Sequence, residues 1–536
     1  MNLNIWALFG HAARHHREVE IVTGLPGGAV HRYTYGDFCD RAEMLMAALD
    51  GLELAEDAVV GTLAWNSHRH LEAYFAVPGT GRVLHTLNLR LSPAELARVI
   101  EHGGDEVILA DADLLPLLVA AKAAGGLGRV RHVLVLGDTD TDAVDLPGLV
   151  SYEDLIAVHE PGYPRREWDE HRPLGICHTS GTTGDPKGAV YTHRSTVLHA
   201  FGVAAGSGLG LGPGDCGLAV VPMFHGNAWG MPYAATMVGA KQVFLAGPLT
   251  PARLAELMLT EEVTVSAGVP TVWLDFAEHL TATGLSLPDL RHVVCGGARP
   301  PRSLVDRYRR EFGIPLVQAW GMTETSPLGS VAWPKHHMRH WDDERLLDEA
   351  GAQAGIASPG VEVSIRDGRG EEVPWDGRTM GALHVRGMWV VDGYLHGEAP
   401  GQFTDGWFAT GDVAVGSPYG YIRIADRTKD LIKSGGEWIS SVDMEAALMG
   451  HPDVAEAAVV AIPDPRWQER PLACVVPAPG REPRLESLRE HLLGNGFARW
   501  QLPERMELLE AIPRTGVGKF DKKALRTSID EKGTLR

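Results

Sequence analysis

Cysteine is sparse in this 536-residue chain: Cys39, Cys177, Cys216, Cys295 and Cys474 stand singly and are odd in number. They make neither a CxxC pair nor a disulfide framework, which excludes a stapled secreted scaffold and points to a reducing compartment. Basic residues are also in deficit, since 49 Lys and Arg against 69 Asp and Glu leave a net charge of −20. That balance excludes the basic footprint of a nucleic-acid binder or of a protein docked on anionic lipid. No apolar run approaches the roughly 18 residues of a membrane span, and residues 1–18 lack the cationic start and apolar stretch of a secretion signal. A soluble cytoplasmic protein is the expectation.

What is present is an ordinary globular composition, 44% hydrophobic and 22% charged. At roughly 150 residues per unit, the length allows about three or four core-forming units. Glycine is abundant at 63 residues, which points to many close backbone approaches. Early in the chain, short apolar runs at 107–110, 132–137, 218–221, 242–246 and His292–Cys295 alternate with helical patterns. The clearest helix start is Ser92-Pro93-Ala94-Glu95, where Ser92 caps, Pro93 takes the first helical position and Glu95 closes a capping box. Such alternation predicts parallel sheets with helices on both faces, which bind ligands beyond their strand C-termini.

After about residue 335 the texture changes. Val361, Val363 and Ile365, then Leu383 and Val385, then 421–424 read as period-two runs, with turn signals at Asp367-Gly368 and Asp376-Gly377. This predicts antiparallel sheet or a small barrel. From about 430 a compact α+β unit follows: helix 442–449, strands 454–462 and 473–476, helix 485–493.

One segment carries chemistry on its face: Thr179-Ser180-Gly181-Thr182-Thr183-Gly184-Asp185-Pro186-Lys187-Gly188, after the strand-like run 174–177. Small residues let the backbone approach an anion, while hydroxyls and Lys187 can bind phosphate oxygens. It is not a Walker A loop, because Gly188 follows Lys187.

This string resembles the signature of the adenylate-forming superfamily of acyl-CoA synthetases, adenylation domains and beetle luciferases. Further motifs resemble that family in order: Gln318 to Thr325 with its adenine and magnesium segment, Thr410-Gly411-Asp412 with its ribose element, Asp426 to Glu437 with its hinge, and Pro513 to Lys519 with its catalytic-lysine loop. The resemblance implies an α/β fold: a large N-terminal part of two doubly wound subdomains plus a distorted β-barrel (1–428), and a small mobile α+β domain (429–536) turning about Lys429. It implies a two-step reaction. A carboxylate attacks the ATP α-phosphate and releases pyrophosphate; a thiol, usually that of coenzyme A, then attacks the acyl-adenylate and releases AMP.

The resemblance also assigns residues. Lys519 meets the α-phosphate as catalytic group, with Thr323 beside it and Glu324 as Mg²⁺ ligand, a hard carboxylate suited to that ion. Thr179, Ser180, Gly181, Thr182, Thr183 and Lys187 bind ATP phosphates. Gly297, Ala298, Trp320, Gly321 and Met322 form the adenine slot, and Asp412 and Arg427 hold the ribose, although Arg427 could instead pair with Asp426. His225, Trp229, Gly296 and Pro327 line the acyl site, with His225 a positioning or gating group and Trp229 a tunnel wall or core residue. Lys433, Gly435, Gly436 and Trp438 flank the pantetheine tunnel.

His178, before the phosphate loop, departs from the aromatic or hydroxyl residue often found in relatives. His336, His337 and His340 read as solvated surface rather than a metal site. Only 17 residues follow Lys519, so the expected thiol donor is coenzyme A or a separate carrier protein. The motifs most resemble those of ligases for medium-chain or fatty acids and methylmercaptopropionate, and a homodimer is expected. A carrier-loading enzyme, an enzyme keeping one half-reaction, and a non-catalytic nucleotide-binding protein are the competing readings.

Overall fold

The computed structural model describes residues 2–138, 144–179, 186–351, 353–434, 437–514 and 520–531. Two parallel sheets organise the large N-terminal part. One has seven strands in the order Leu149–Ser151, His132–Leu136, Asp105–Asp111, Val59–Leu63, Val83–Thr86, Pro173–His178 and Gly188–Thr192; only the last pairing is antiparallel. The other has nine strands. Its parallel centre runs Leu316–Trp320, His292–Cys295, Val265–Gly268, Cys216–Ala219, Lys241–Leu245 and Glu20–Gly24, and antiparallel strands close both ends. Val265–Gly268 and His292–Cys295 are buried throughout, the condition of a sheet covered by helices on both faces.

Local chemistry sets the helices as the sequence pattern anticipates. Ser92 Oγ accepts from the Glu95 amide while the Glu95 carboxylate accepts from the Ser92 amide and hydroxyl, starting helix Pro93–Gly103. Gly104 ends it at φ +74°. Strand edges differ by a few residues from the apolar runs. The run at 218–221 becomes strand Cys216–Ala219 because Asn66 Nδ2 takes the carbonyls of Ala219 and Val221, drawing the chain out of the ladder.

The antiparallel unit exists as expected, with Val361–Arg366, Met380–Gly387, Trp407–Gly416 and Ile422–Arg427 paired in turn. Beyond it lies a separate C-terminal part. Strands Val454–Asp464 and Gln468–Pro477 form its long hairpin, with helices Ser441–Leu448 and Leu485–Gly494 on one face and Lys522–Glu531 on the other. The strand expected at 473–476 is longer because Val454–Asp464 pairs with it over its whole length. No helix among the described residues is long and apolar enough to cross a membrane.

Candidate active site

Strands Pro173–His178 and Gly188–Thr192 pair antiparallel, and the segment expected to bind phosphates lies between them in the chain. The Thr179 amide donates to the Lys187 carbonyl at 2.8 Å and closes its mouth. Ser180, Gly181, Thr182 and Thr183 lie outside the described residues. Lys187 Nζ donates to Gln402 Oε1 at 3.2 Å and lies 5.2 Å from the ring centre of Tyr394. The Tyr394 hydroxyl in turn donates to Glu324 Oε1 at 2.5 Å. Burial and the neighbouring Glu324 push the Tyr394 phenol up, so it stays a donor. One tyrosine therefore ties Lys187, the cation expected at the phosphates, to the expected metal-ligating carboxylate.

Thr323 and Glu324 are buried in a tight turn, Thr323–Thr325, that follows strand Leu316–Trp320. The Tyr191 hydroxyl donates to the Thr323 carbonyl at 2.8 Å, and the Val391 amide donates to that of Glu324 at 2.9 Å. Thr325 Oγ1 accepts from the Met322 amide at 3.0 Å. Gly321 admits no side chain, since a Cβ there would lie 1.5 Å from the Pro327 carbonyl oxygen.

Trp320 is not simply a wall. Its Nε1 donates to Asp412 Oδ2 at 3.0 Å, and Arg427 Nε sits 2.7 Å from Asp412 Oδ1. Asp412 and Arg427 are directly opposed in adjacent strands, which is why they meet. Of the two readings for Arg427, its side chain pairs with Asp412, while only its backbone amide engages Asp426. Asp412 is buried and Arg427 half-exposed, so a carboxylate with spare lone pairs stands at the edge of the site.

On the acyl side, Gly226, Asn227, Ala228, Trp229 and Gly230 all have φ between +49° and +70°. This is a full left-handed turn, at roughly 1–2 kcal/mol per non-glycine residue. It presents Trp229 to Gly296: a Cβ on Gly296 would lie 2.8 Å from that indole. A Cβ on Gly226 would similarly lie 3.0 Å from Pro327. Trp229, Gly296 and Pro327 are thus one contact cluster. His225, half-buried, enters the turn, its amide donating to the Pro222 carbonyl. Gly297 takes φ +81° at the end of strand His292–Cys295, and Ala298 is exposed beside it.

The C-terminal part meets this site through Asp443, which receives both Arg299 and Arg423. Between the two parts opens a cleft of about 830 Å³, bordered by Arg299, Arg302, Arg310, Trp438 and Asp443. Lys433 Nζ lies 4.9 Å from the ring centre of Trp438, and Lys429 is exposed in the turn after strand Ile422–Arg427. Gly435, Gly436 and Lys519 lie outside the described residues. Lys522 is half-buried, with Nζ 2.6 Å from Glu445 Oε1.

His336, His337 and His340 are exposed. Among the described residues no three His, Cys, Asp or Glu side chains gather into a metal cage. Glu324 fits a different metal chemistry: one buried carboxylate, held by Tyr394, suits an ion that keeps its waters and takes further ligands from phosphates. Tyr394, Gln402 and Tyr191 were not singled out by sequence. Nothing in their local spacing marks them, because Tyr191 arrives on strand Gly188–Thr192 and both Tyr394 and Gln402 on the distant segment 394–402.

The family model of AMP-binding enzymes matches residues 8–395, and that of the AMP-binding enzyme C-terminal domain matches 443–519. A long-chain-fatty-acid–CoA ligase of Thermus thermophilus is 48% identical, covering 98% of this chain and 95% of its own. A 3-methylmercaptopropionyl-CoA ligase of Ruegeria lacuscaerulensis is 42% identical (99% and 98% covered), and a medium-chain-fatty-acid–CoA ligase of Ectopseudomonas oleovorans 40% identical (98% and 95%). Among solved structures, the anthranilate CoA ligase AuaEII with anthranoyl-AMP superposes with TM-score 0.86 at 23% identity, covering 99% of this chain and 98% of that one, a likeness of fold.

Proposed function

The chain belongs to the AMP-binding enzyme family, and on that premise we propose that its acid–CoA ligase activity is directed to linear aliphatic carboxylic acids, with coenzyme A as the thiol acceptor. The family and the acid–CoA ligases 40–48% identical to it make it an AMP-forming acyl-CoA synthetase. The observation that best supports the site assignment is the Lys187–Tyr394–Glu324 chain, which brings a phosphate-binding cation and a metal-type carboxylate to one place.

In the first step a carboxylate oxygen of the acid bonds to the α-phosphorus and the bond to pyrophosphate breaks. Lys187 and the Thr179 end of its hairpin hold the phosphates. Asp412 accepts from ribose hydroxyls on lone pairs that Trp320 and Arg427 leave available. Lys519 supplies fixed positive charge as the α-phosphate becomes more negative. Glu324 would hold Mg²⁺, which would supply charge neutralisation at the phosphate oxygens. Trp229, Pro327 and the side-chain-free face of Gly296 border an apolar acyl slot, and His225 positions its entrance.

In the second step the thiol sulfur bonds to the acyl carbon, the acyl–phosphate bond breaks and AMP leaves. Arg299, Arg302 and Arg310 border the inter-part cleft, paired with Asp443, Asp348 and Asp306, and on this reading they turn from those carboxylates to the phosphates of coenzyme A. Turning of residues 429–536 about Lys429 would exchange Lys519 for Gly436 at the site. Five buried, unpaired cysteines support a reducing, cytoplasmic setting, and the working assembly on this reading is a homodimer.

Mass spectrometry of reactions with ATP, Mg²⁺, coenzyme A and a panel of acids tests the reading. The panel runs from propionate and methylthio acids through fatty acids to aromatic acids. Acyl-CoA with AMP from straight-chain acids is the expected result. Preference for aromatic acids would overturn the acyl assignment; acyl-AMP without thioester would point to a carrier protein as acceptor.

A further inference from the structure

Beneath the phosphate hairpin, three histidines join two carboxylates in an unbroken line. Asp105 Oδ2 lies 2.8 Å from His85 Nδ1, and His85 Nε2 lies 2.8 Å from His178 Nδ1. His178 Nε2 lies 2.9 Å from His102 Nδ1, and His102 Nε2 lies 3.1 Å from Glu398 Oε1. The residues come from three strands or strand ends, a helix and a loop, namely Asp105–Asp111, Val83–Thr86, Pro173–His178, Pro93–Gly103 and the segment 394–402. Space for the inner end is reserved by glycine: a Cβ on Gly103 would lie 2.5 Å from His85 Nδ1, and one on Gly61 2.7 Å from Asp105 Oδ1.

Proton counting gives this line a property that no member has alone. Its four contacts need four protons, one in each. Three neutral imidazoles carry only three, and two ionised carboxylates carry none. The line is therefore fully hydrogen-bonded only when it holds one proton more. That proton can sit on Asp105, with every N–H pointing outward to Glu398, on Glu398, with every N–H pointing inward, or on any ring between. Remove it, and one contact becomes acceptor against acceptor. Burial and its histidine neighbours push His178 down to about 2, and burial pushes Asp105 up. Burial thereby disfavours the extra proton on the central ring and favours it on Asp105. Glu101 faces Asp105, His396 faces both His178 and His102, and Tyr394 faces Glu398.

The outer end matters because of what else its segment does. Residues 394–402 also carry Tyr394, bound to Glu324, and Gln402, bound to Lys187, while His396 Nε2 meets the His102 carbonyl at 3.1 Å. His178 is the residue before Thr179, and Ala189 of the return strand bridges to Tyr394. The segment is thus a strap laid along the hairpin, and the histidine line is one of its fastenings.

We propose that Asp105, His85, His178, His102 and Glu398 act as a single relay storing one exchangeable proton, and that this proton fastens the 394–402 strap across the phosphate-binding hairpin. These are positioning residues, acting through Lys187 and Glu324. The proposal rests on the assignment of that hairpin to ATP. Loss of the proton at alkaline pH opens the outermost and most accessible contact, His102–Glu398, and loosens the ATP phosphate site.

Glu398 variants of the full-length enzyme test this without disturbing the buried core. A Glu398→Gln side chain can donate its amide N–H to His102 Nε2, so the line is satisfied with no extra proton; Glu398→Ala removes the fastening altogether. In ATP–pyrophosphate exchange, the wild-type KM for ATP should rise roughly fivefold from the acidic to the alkaline end of the range in which the enzyme stays folded, the scale of one hydrogen bond. The Gln variant should keep the low-pH KM with a flat profile, and the Ala variant should show the raised KM throughout. A Gln variant that keeps the wild-type rise, or an Ala variant that matches wild type, would overturn the proposal. Side-chain ¹⁵N NMR reads the relay independently of activity. The rings of His85, His178 and His102 should respond with one common midpoint in wild type and lose it in the Gln variant; three unrelated midpoints would refute the relay. Absence of exchange activity in wild type with a common NMR midpoint would instead mean that the ATP assignment failed.

Discussion

Tyr394 shows how much a single side chain does in this site. Its hydroxyl donates to Glu324 and its ring lies under Lys187, so the two groups can be separated by experiment. Tyr394→Phe keeps the ring and removes a hydrogen bond to a buried carboxylate, an interaction of about 1.5–3 kcal/mol. Adenylation kcat/KM for ATP should fall by at least about tenfold, and the Mg²⁺ concentration for half-maximal rate should rise. A variant with unaltered Mg²⁺ dependence would mean that Tyr394 does not position Glu324. The geometry at Asp412 is similarly divided: Trp320 and Arg427 each take one carboxylate oxygen, which fixes the direction in which the remaining lone pairs face.

At the scale of elements, the left-handed turn from Gly226 to Gly230 is the strained piece of the acyl side. It persists because its surroundings leave no alternative: a Cβ on Gly230 would lie 2.3 Å from the buried His199 ring, at φ +70°. Gly230→Ala should therefore destabilise the protein by more than about 2 kcal/mol, read as a shift in the urea midpoint. Ala228 stands at φ +49° in the same turn, so Ala228→Gly should cost nothing measurable, whereas glycine in an ordinary helix interior costs about 1 kcal/mol. Equal losses in both variants would show that the turn is not left-handed in solution. How far the elements themselves were legible depends on where their information lies. The capping box at Ser92 and the all-apolar strand His292–Cys295 are written in adjacent residues and were read directly. The left-handed turn was not, because Gly226, Asn227 and Gly230 only tolerate positive φ, and Ala228 and Trp229, which carry no mark for it, are forced there by packing.

The whole molecule carries two further consequences. If one site serves both half-reactions through turning of its C-terminal part, substitutions there should split the reaction. Lys519→Ala should cut adenylation by roughly 10²–10³-fold, the scale of one charge-stabilising group, and spare thioester formation from supplied acyl-adenylate. Gly436→Trp should do the reverse, sparing pyrophosphate release. Equal loss of both steps in either variant would refute the exchange. Stability should also follow the buried histidines. Burial holds His70 and His193 down to about 4 and His199 to about 3. Folded, these rings stay neutral; unfolded, they bind protons below their ordinary value near 6.5. The unfolded state then holds more protons than the folded one, so stability falls as pH falls, by up to about 1.4 kcal/mol per pH unit for each ring. Denaturation by urea should become easier between about pH 6.5 and about pH 5, the three rings outweighing the opposite contribution of buried Asp111, whose carboxyl burial pushes up to about 7. A midpoint unchanged over that range would mean that the rings are not buried neutral.

The sequence by itself determined the family, the order of motifs and the alternation that makes two parallel sheets, and it put forward Lys187, Glu324, Asp412 and Arg427 as the residues to look for in the site. Each of these is a property of neighbours along the chain: a short string whose residue types suit phosphate, metal or ribose, or a hydrophobic period that suits helix or strand. Only the tertiary structure decided which side chains complete the site. Tyr394 reaches Glu324 across 70 positions, Gln402 reaches Lys187 across 215, and Glu398 reaches His102 across 296. His178, visible in the sequence only as a departure from its family, became the middle of a five-residue line once strand pairing set it beside His85 and folding brought His102 across. Hydrogen bonds reach about 3 Å whatever the distance along the chain, so contacts of this kind have no local signature and exist only after the sheets have formed.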